Sequence, residues 1–198
     1  MRFRAIELIA WLSLIGAPGL AQTVSTPAKQ QPPSGCSSAE SRQFDFWVGY
    51  WEVHPQGTDE VVAHSLIEKR YGGCAIRENW MPLGKELNGG GGSLSMYDPD
   101  RGQWRQTWID STGVRVDFDG GLEGRIMTLT GTWKNFAGPG EDAIVRMHYQ
   151  LQADRELRQW AEFSVDGGKS WSTSFDFLYR RVSDPMSSGR GTQLPGNR

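Results

Sequence analysis

Three short stretches hold the side chains with the most chemistry to offer. Glu78 and Trp80 stand two positions apart, and Trp104, Gln106, Trp108 and Asp110 alternate through Gln103–Asp110. Residues two apart on an extended chain share a face, so both stretches set indoles beside carboxyl or amide groups. Indole walls with a few polar anchors are what a pocket needs to orient a small molecule. The third stretch, Ala143–Gln152, puts Val145, Met147, Tyr149 and Leu151 on one face, with Ile144, Arg146, His148 and Gln150 on the other. The expected ligand-binding set is therefore Trp80, Trp104 and Trp108 as wall, with Glu78, Gln106 and Arg146 as polar anchors. Trp51, Trp133 and Trp171 are expected to serve packing.

Catalysis has thinner support. Glu78, Asp110 and Glu162 are the acids with pocket potential, and two carboxylates held at different pKa values divide acid and base roles. The same acids are equally suited to pairing with Arg77, Arg105 or Arg146 across neighbouring strands. There is no Ser/His/Asp ordering around a nucleophile elbow, so no catalytic residue is assigned. A carboxylate-based hydrolase is the alternative to a binding protein, and a solid barrel serving as an envelope scaffold is a third reading. His54, His64 and His148 form no His-x-His or His-x-x-x-His pair, which leaves a zinc site without local support. A lone His148 as haem ligand is the sharpest cofactor reading, but the expectation is no metal and no cofactor. Asn88-Gly89-Gly90-Gly91-Gly92-Ser93 lacks the Gly-Lys-Ser/Thr ending of a phosphate cradle and reads as a mobile lip at a barrel mouth.

Ten runs with period-two alternation position these residues: Trp47–His54, Val61–Tyr71, Cys74–Trp80, Ser93–Tyr97, Gln103–Asp110, Val114–Phe118, Arg125–Trp133, Ala143–Gln152, Glu156–Val165 and Ser172–Val182. Turn chemistry separates them. Asp98-Pro99-Asp100-Arg101-Gly102 is a turn with fixed φ at Pro. Asp119-Gly120-Gly121, Ala153-Asp154-Arg155 and Asp166-Gly167-Gly168 are hairpin candidates. Short connections between consecutive strands make antiparallel neighbours. Many such strands lose their free edges by closing. The fold class expected is all-β, an antiparallel up-and-down β-barrel of 8–10 strands, with a sandwich as runner-up.

The chain has 198 residues and a formal charge of −2, which argues against a basic nucleic-acid binder. Arg2 and Arg4 precede an apolar stretch from Leu8 to Leu20, and Gly19-Leu20-Ala21 supplies small residues. This is the logic of a secretory signal cleaved after Ala21. Beyond it no run of apolar residues is long enough for a membrane helix. Residues 22–40 read as a flexible linker rich in Pro, Ser and Gln, and 183–198 as a disordered tail. The domain is placed at 41–182, and the mature protein is expected in the periplasm or secreted. Two cysteines in an exported chain form an even count, so Cys36 and Cys74 are expected to pair, pinning the linker to the barrel wall.

The opening Phe44-Asp45-Phe46-Trp47-Val48-Gly49-Tyr50-Trp51-Glu52-Val53 resembles that of an uncharacterised bacterial family, a domain of unknown function in the lipocalin-like (calycin) superfamily. The likeness continues through Gly73-Cys74, Glu78-Asn79-Trp80, Gly92-Ser93-Leu94, Trp104–Asp110 and Ser164–Gly168 with Trp171. It implies a small antiparallel barrel of eight to ten strands, with no activity or cofactor established. Gly49-x-Trp51 also resembles the Gly-x-Trp of lipocalins, where the Trp packs across one barrel end beneath an Arg of the last strand. Arg180 or Arg181 fits that role, held over the indole by cation–π attraction. Ser164-x-Asp166-x-Gly168-x-Ser170-Trp171 matches the Asp-box pattern of sialidase-like propellers, but a single copy does not make a propeller. Asp166 is expected to cap a tight turn, Gly168 to take positive φ, and Trp171 to pack beneath.

Overall fold

The computed structural model describes residues 36–84 and 89–183. The leader at 1–21, the linker up to residue 35 and the tail from 184 lie outside the described residues. Ten strands run in sequence order: β1 (Gly49–Pro55), β2 (Ala63–Arg70), β3 (Ala75–Pro82), β4 (Gly91–Asp98), β5 (Gln103–Asp110), β6 (Arg115–Glu123), β7 (Ile126–Gly138), β8 (Glu141–Leu151), β9 (Leu157–Ser164) and β10 (Ser172–Arg181). Each pairs antiparallel with its sequence neighbours, and β1 pairs with β10, so the sheet closes into an up-and-down barrel. Closure leaves no edge strand to attract another chain. Among the described residues no helix is long and apolar enough to cross a membrane.

Burial follows the period of two wherever a strand has core on one side only. On β8, Ala143, Val145, Met147 and Tyr149 are buried between partly exposed neighbours, and on β9 Leu157, Gln159 and Ala161 repeat the pattern. Three of the expected turns use the residues foreseen, Asp166-Gly167-Gly168 between β9 and β10 among them. Asp98 Oδ1 accepts from the backbone N–H of Asp100 and Arg101 at 3.1 and 3.3 Å, turning β4 into β5. Arg155, in the left-handed region at φ 71°, turns β8 into β9.

One hairpin candidate is misplaced. Asp119-Gly120-Gly121 lies inside β6, and the turn comes at Gly124, four residues after Gly120, with φ 61°. Gly120 is there because strands crowd it: a Cβ would lie 2.0 Å from the Thr128 carbonyl oxygen. Glycine marks close backbone approach as well as turns, and the two have the same signature in sequence.

One end of the barrel is stopped by the segment that precedes β1. Short 3₁₀ turns at Glu40–Arg42 and Asp45–Trp47 fold it over the opening. Phe44 stacks on Trp47, with ring centroids 4.8 Å apart, and meets Tyr149 and Trp104 edge-on. Both plug residues are fully buried. A disulfide joins Cys36 to Cys74, the residue just before β3, and ties the plug segment to the wall.

Beside the plug, Trp51 is completely buried and its indole N–H donates to the Trp47 carbonyl at 2.9 Å. The Arg181 guanidinium lies 4.3 Å from the Trp51 ring and donates to the Val48 carbonyl at 2.8 Å. It occupies the space over Gly49, where a Cβ would sit 2.3 Å from Arg181 Nη1. Arg181→Ala is expected to cost about 1–2 kcal/mol from the lost cation–π contact and hydrogen bond. Gly49→Ala displaces the same side chain. The double variant should therefore be no worse than the more damaging single one in urea unfolding. Additive losses would show that the two positions act separately.

Candidate functional site

Away from the plug, exposure rises along the barrel. Trp80, Trp108, Trp133, Phe175 and Phe177 are only partly buried. These five aromatics wall a cavity of about 210 Å³. Its deeper lining is Met147, Tyr149 and Tyr179, with Glu78, Gln106 and Gln159 as the polar contribution. Six strands supply these side chains, and the inward face of each is set by the same alternation that fills the core.

Trp108 owes its place to a glycine across the ladder. On β4 a Cβ at Gly91 would lie 2.3 Å from Trp108 Cζ2. The expected lip is partly strand, since Gly91 and Gly92 open β4 and the bare backbone of Gly91 gives the indole its seat. Asn88, at the start of that run, lies outside the described residues. The Trp108 indole N–H approaches Asp110 Oδ2 at 3.3 Å, and Thr112 and Val114 also donate to that carboxylate.

The polar floor is a connected network. Glu78, 5% exposed, accepts from the Ser65 hydroxyl at 3.2 Å and the Ser93 hydroxyl at 2.9 Å. The Gln106 amide N–H donates to Ser93 Oγ and Ser95 Oγ, and Tyr149 O–H donates to Gln106 Oε1 at 3.4 Å. Burial pushes the Glu78 carboxyl up to about 7, partly offset by the Ser93 and Ser65 hydrogen bonds. Burial also holds Tyr149 and Tyr179 well above the usual phenol range, with the Glu78 charge adding to it.

Four of the six residues expected to bind ligand line this cavity: Trp80, Trp108, Glu78 and Gln106. Trp104 does not. It is 1% exposed at the plugged end, and its indole N–H points to the Glu40 carbonyl and Gln43 Oε1 at 3.2 and 3.3 Å. Arg146 is on the outside of β8, where its guanidinium lies 3.7 Å from the Trp171 ring. Its neighbour Met147 faces inward, and a one-residue offset on a strand exchanges faces. The lining residues outside the expected set are Trp133, assigned to packing, Met147 and Tyr149, and Gln159, Phe175, Phe177 and Tyr179. Their signal was present: Leu157, Gln159 and Ala161 alternate on β9, as do Phe175, Phe177 and Tyr179 on β10.

The acids separate in the same way. Of the three weighed as pocket acids only Glu78 lines the cavity; Asp110 sits at its outer rim turn and Glu162 stands outside, 3.3 Å from His148 Nε2. His148 is itself on the outer face, stacked on Trp160 at 4.8 Å and bonded to Thr128 through Nδ1. It offers no axial ligand to the interior. His54 and His64 each lie 3.9 Å from Glu52, and among the described residues no group of three or more His, Cys, Asp or Glu is arranged to hold a metal.

At the rim of the barrel, Asp166 accepts from Ser164 and Ser170 hydroxyls and from the Lys169 and Ser170 backbone N–H groups. These bonds hold its carboxyl well below the usual range. Gly168 has φ 91°, and Trp171 donates to its carbonyl at 3.1 Å. The motif builds a tight turn between β9 and β10. Searched against protein-family models and against curated proteins, the chain matches none.

Proposed function

We propose that the protein is an exported, lipocalin-like barrel that binds a small, partly apolar molecule in the Trp-walled cavity. The observation that carries this reading is the pairing of a hollow, aromatic-walled interior with a fully enclosed polar floor. A wall of Trp80, Trp108, Trp133, Phe175 and Phe177 favours an apolar body, and Glu78, Gln106 and Gln159 offer fixed points for a polar head. A barrel built only for stability would fill this space with branched apolar side chains and leave no carboxyl inside. An apolar cavity of about 150 Å³ takes up a benzene ring, so about 210 Å³ suits one ring with a short chain. Export is supported by the leader pattern of residues 1–21 and by the Cys36–Cys74 bridge, a bond that persists in oxidising compartments.

Native mass spectrometry of the purified protein tests for a retained small molecule, and a titration with 2-phenylethanol read by tryptophan fluorescence tests the cavity itself. Saturable quenching is expected. Trp108→Ala should weaken binding about tenfold through loss of the indole contact. An unresponsive emission spectrum, or equal affinity in the variant, would remove the pocket from this place.

A further inference from the structure

The floor of the cavity holds a carboxyl group and an amide oxygen with lone pairs to spare. Glu78 takes one hydroxyl on each carboxylate oxygen, from Ser65 and Ser93, which leaves each oxygen a further lone pair. Gln159 is 5% exposed and its Oε1 has no donor. Two of the donors nearby are already engaged: Gln106 gives its amide hydrogens to Ser93 and Ser95, and Tyr149 gives its hydroxyl to Gln106. Facing Glu78 from the surrounding strands are Ser65, Ser93, Gln106, Tyr149, Gln159 and Tyr179, and among the described residues the cavity lining contains no Lys, Arg or His. A buried carboxyl faces the cavity with no positive charge among those residues.

The geometry points to a small organic amine as the occupant, bound as its ammonium, with the charged head on the Glu78 carboxylate and Gln159 Oε1 and the apolar body between Trp80 and Trp108. The inference rests on the pocket reading above and names its ligand class. An ammonium has only donors, so it suits the free lone pairs of Glu78 and Gln159 Oε1, and the faces of the aromatic walls attract a cation as well. A carboxylate or phosphate would meet the Glu78 charge with no cation among the described lining residues to offset it. An unpartnered buried amide oxygen is costly, and an N–H head satisfies it. With the Glu78 carboxyl standing near 7, an ammonium selects the ionised form. Amine affinity should therefore rise about tenfold between pH 6 and pH 8, while the affinity of a neutral ligand should not rise.

Calorimetric titrations with 2-phenylethylamine, 2-phenylethanol and phenylacetate at both pH values test this. At pH 8 the amine should bind about tenfold or more tightly than the alcohol, with phenylacetate weakest. Glu78→Gln should abolish the preference for the amine and its pH dependence while retaining the alcohol. Phenylacetate binding as tightly as the amine, or an amine affinity unchanged by both pH and Glu78→Gln, would overturn the inference. If the alcohol binds and the amine gains nothing over it, the ligand class falls and the pocket stands. If neither binds, the pocket reading falls and the amine with it.

Discussion

At pH 8 a Glu78→Gln variant without ligand should melt roughly 6–12 °C above the unaltered protein, and at pH 4 the two should melt together. The cause is the burial of Glu78, which raises its carboxyl from an ordinary 4.5 to about 7 in the folded chain. Between those values the unfolded chain releases its proton while the folded chain keeps it. The stabilisation associated with the neutral acid is therefore complete below pH 4.5, declines as pH rises, and is gone above about 7. Over that interval the loss is about 3 kcal/mol. Gln keeps the shape, remains neutral throughout and still accepts from Ser65 or Ser93. Parallel melting curves at the two pH values would mean that water reaches Glu78 freely. A carboxyl retained where an amide is more stable suits a residue kept for binding, since sites that serve function are commonly held at the expense of stability.

Replacing both Cys36 and Cys74 with Ser should lower stability by up to about 4 kcal/mol, the loop-entropy value for a bridge of this span. The bridged residues are 38 positions apart, and between them lie the plug, β1 and β2. The loss should be felt first at the plugged end. Cys36 also offers its carbonyl to the Ser41 hydroxyl at 2.7 Å, and that turn leads directly to Phe44 and Trp47. Guanidinium unfolding reads the total, and hydrogen exchange at Phe44–Trp51 reads the plug. A double variant with unchanged midpoint and unchanged protection there would show that aromatic packing alone holds the segment.

Much of the architecture was legible in the chain because a barrel wall has one wet and one dry side. Alternation in Gln103–Asp110 and Ala143–Gln152 located β5 and β8 closely, and the ten alternating runs correspond to ten strands. Glycine was the weak point. Gly120 and Gly91 relieve crowding within strands, against the Thr128 carbonyl and the Trp108 ring, and neither forms a turn. The site was half legible for a related reason. Alternation tells which residues share a face, but depth along the barrel depends on register with distant strands. Trp104 and Trp108 share a face four residues apart, yet one packs under the plug and the other walls the cavity. Arg146 was a different error: the apolar run Val145, Met147, Tyr149 already assigned the interior to the opposite face of β8. Gln159 carried too little chemical character to stand out until the strands around it closed.

The most direct measurement is a crystal structure of the protein soaked with 2-phenylethanol. Density for the ring is expected between Trp80 and Trp108, with the hydroxyl toward Glu78 or Gln159. Density confined to the outer surface, or an interior filled by collapsed aromatic side chains, would contradict it.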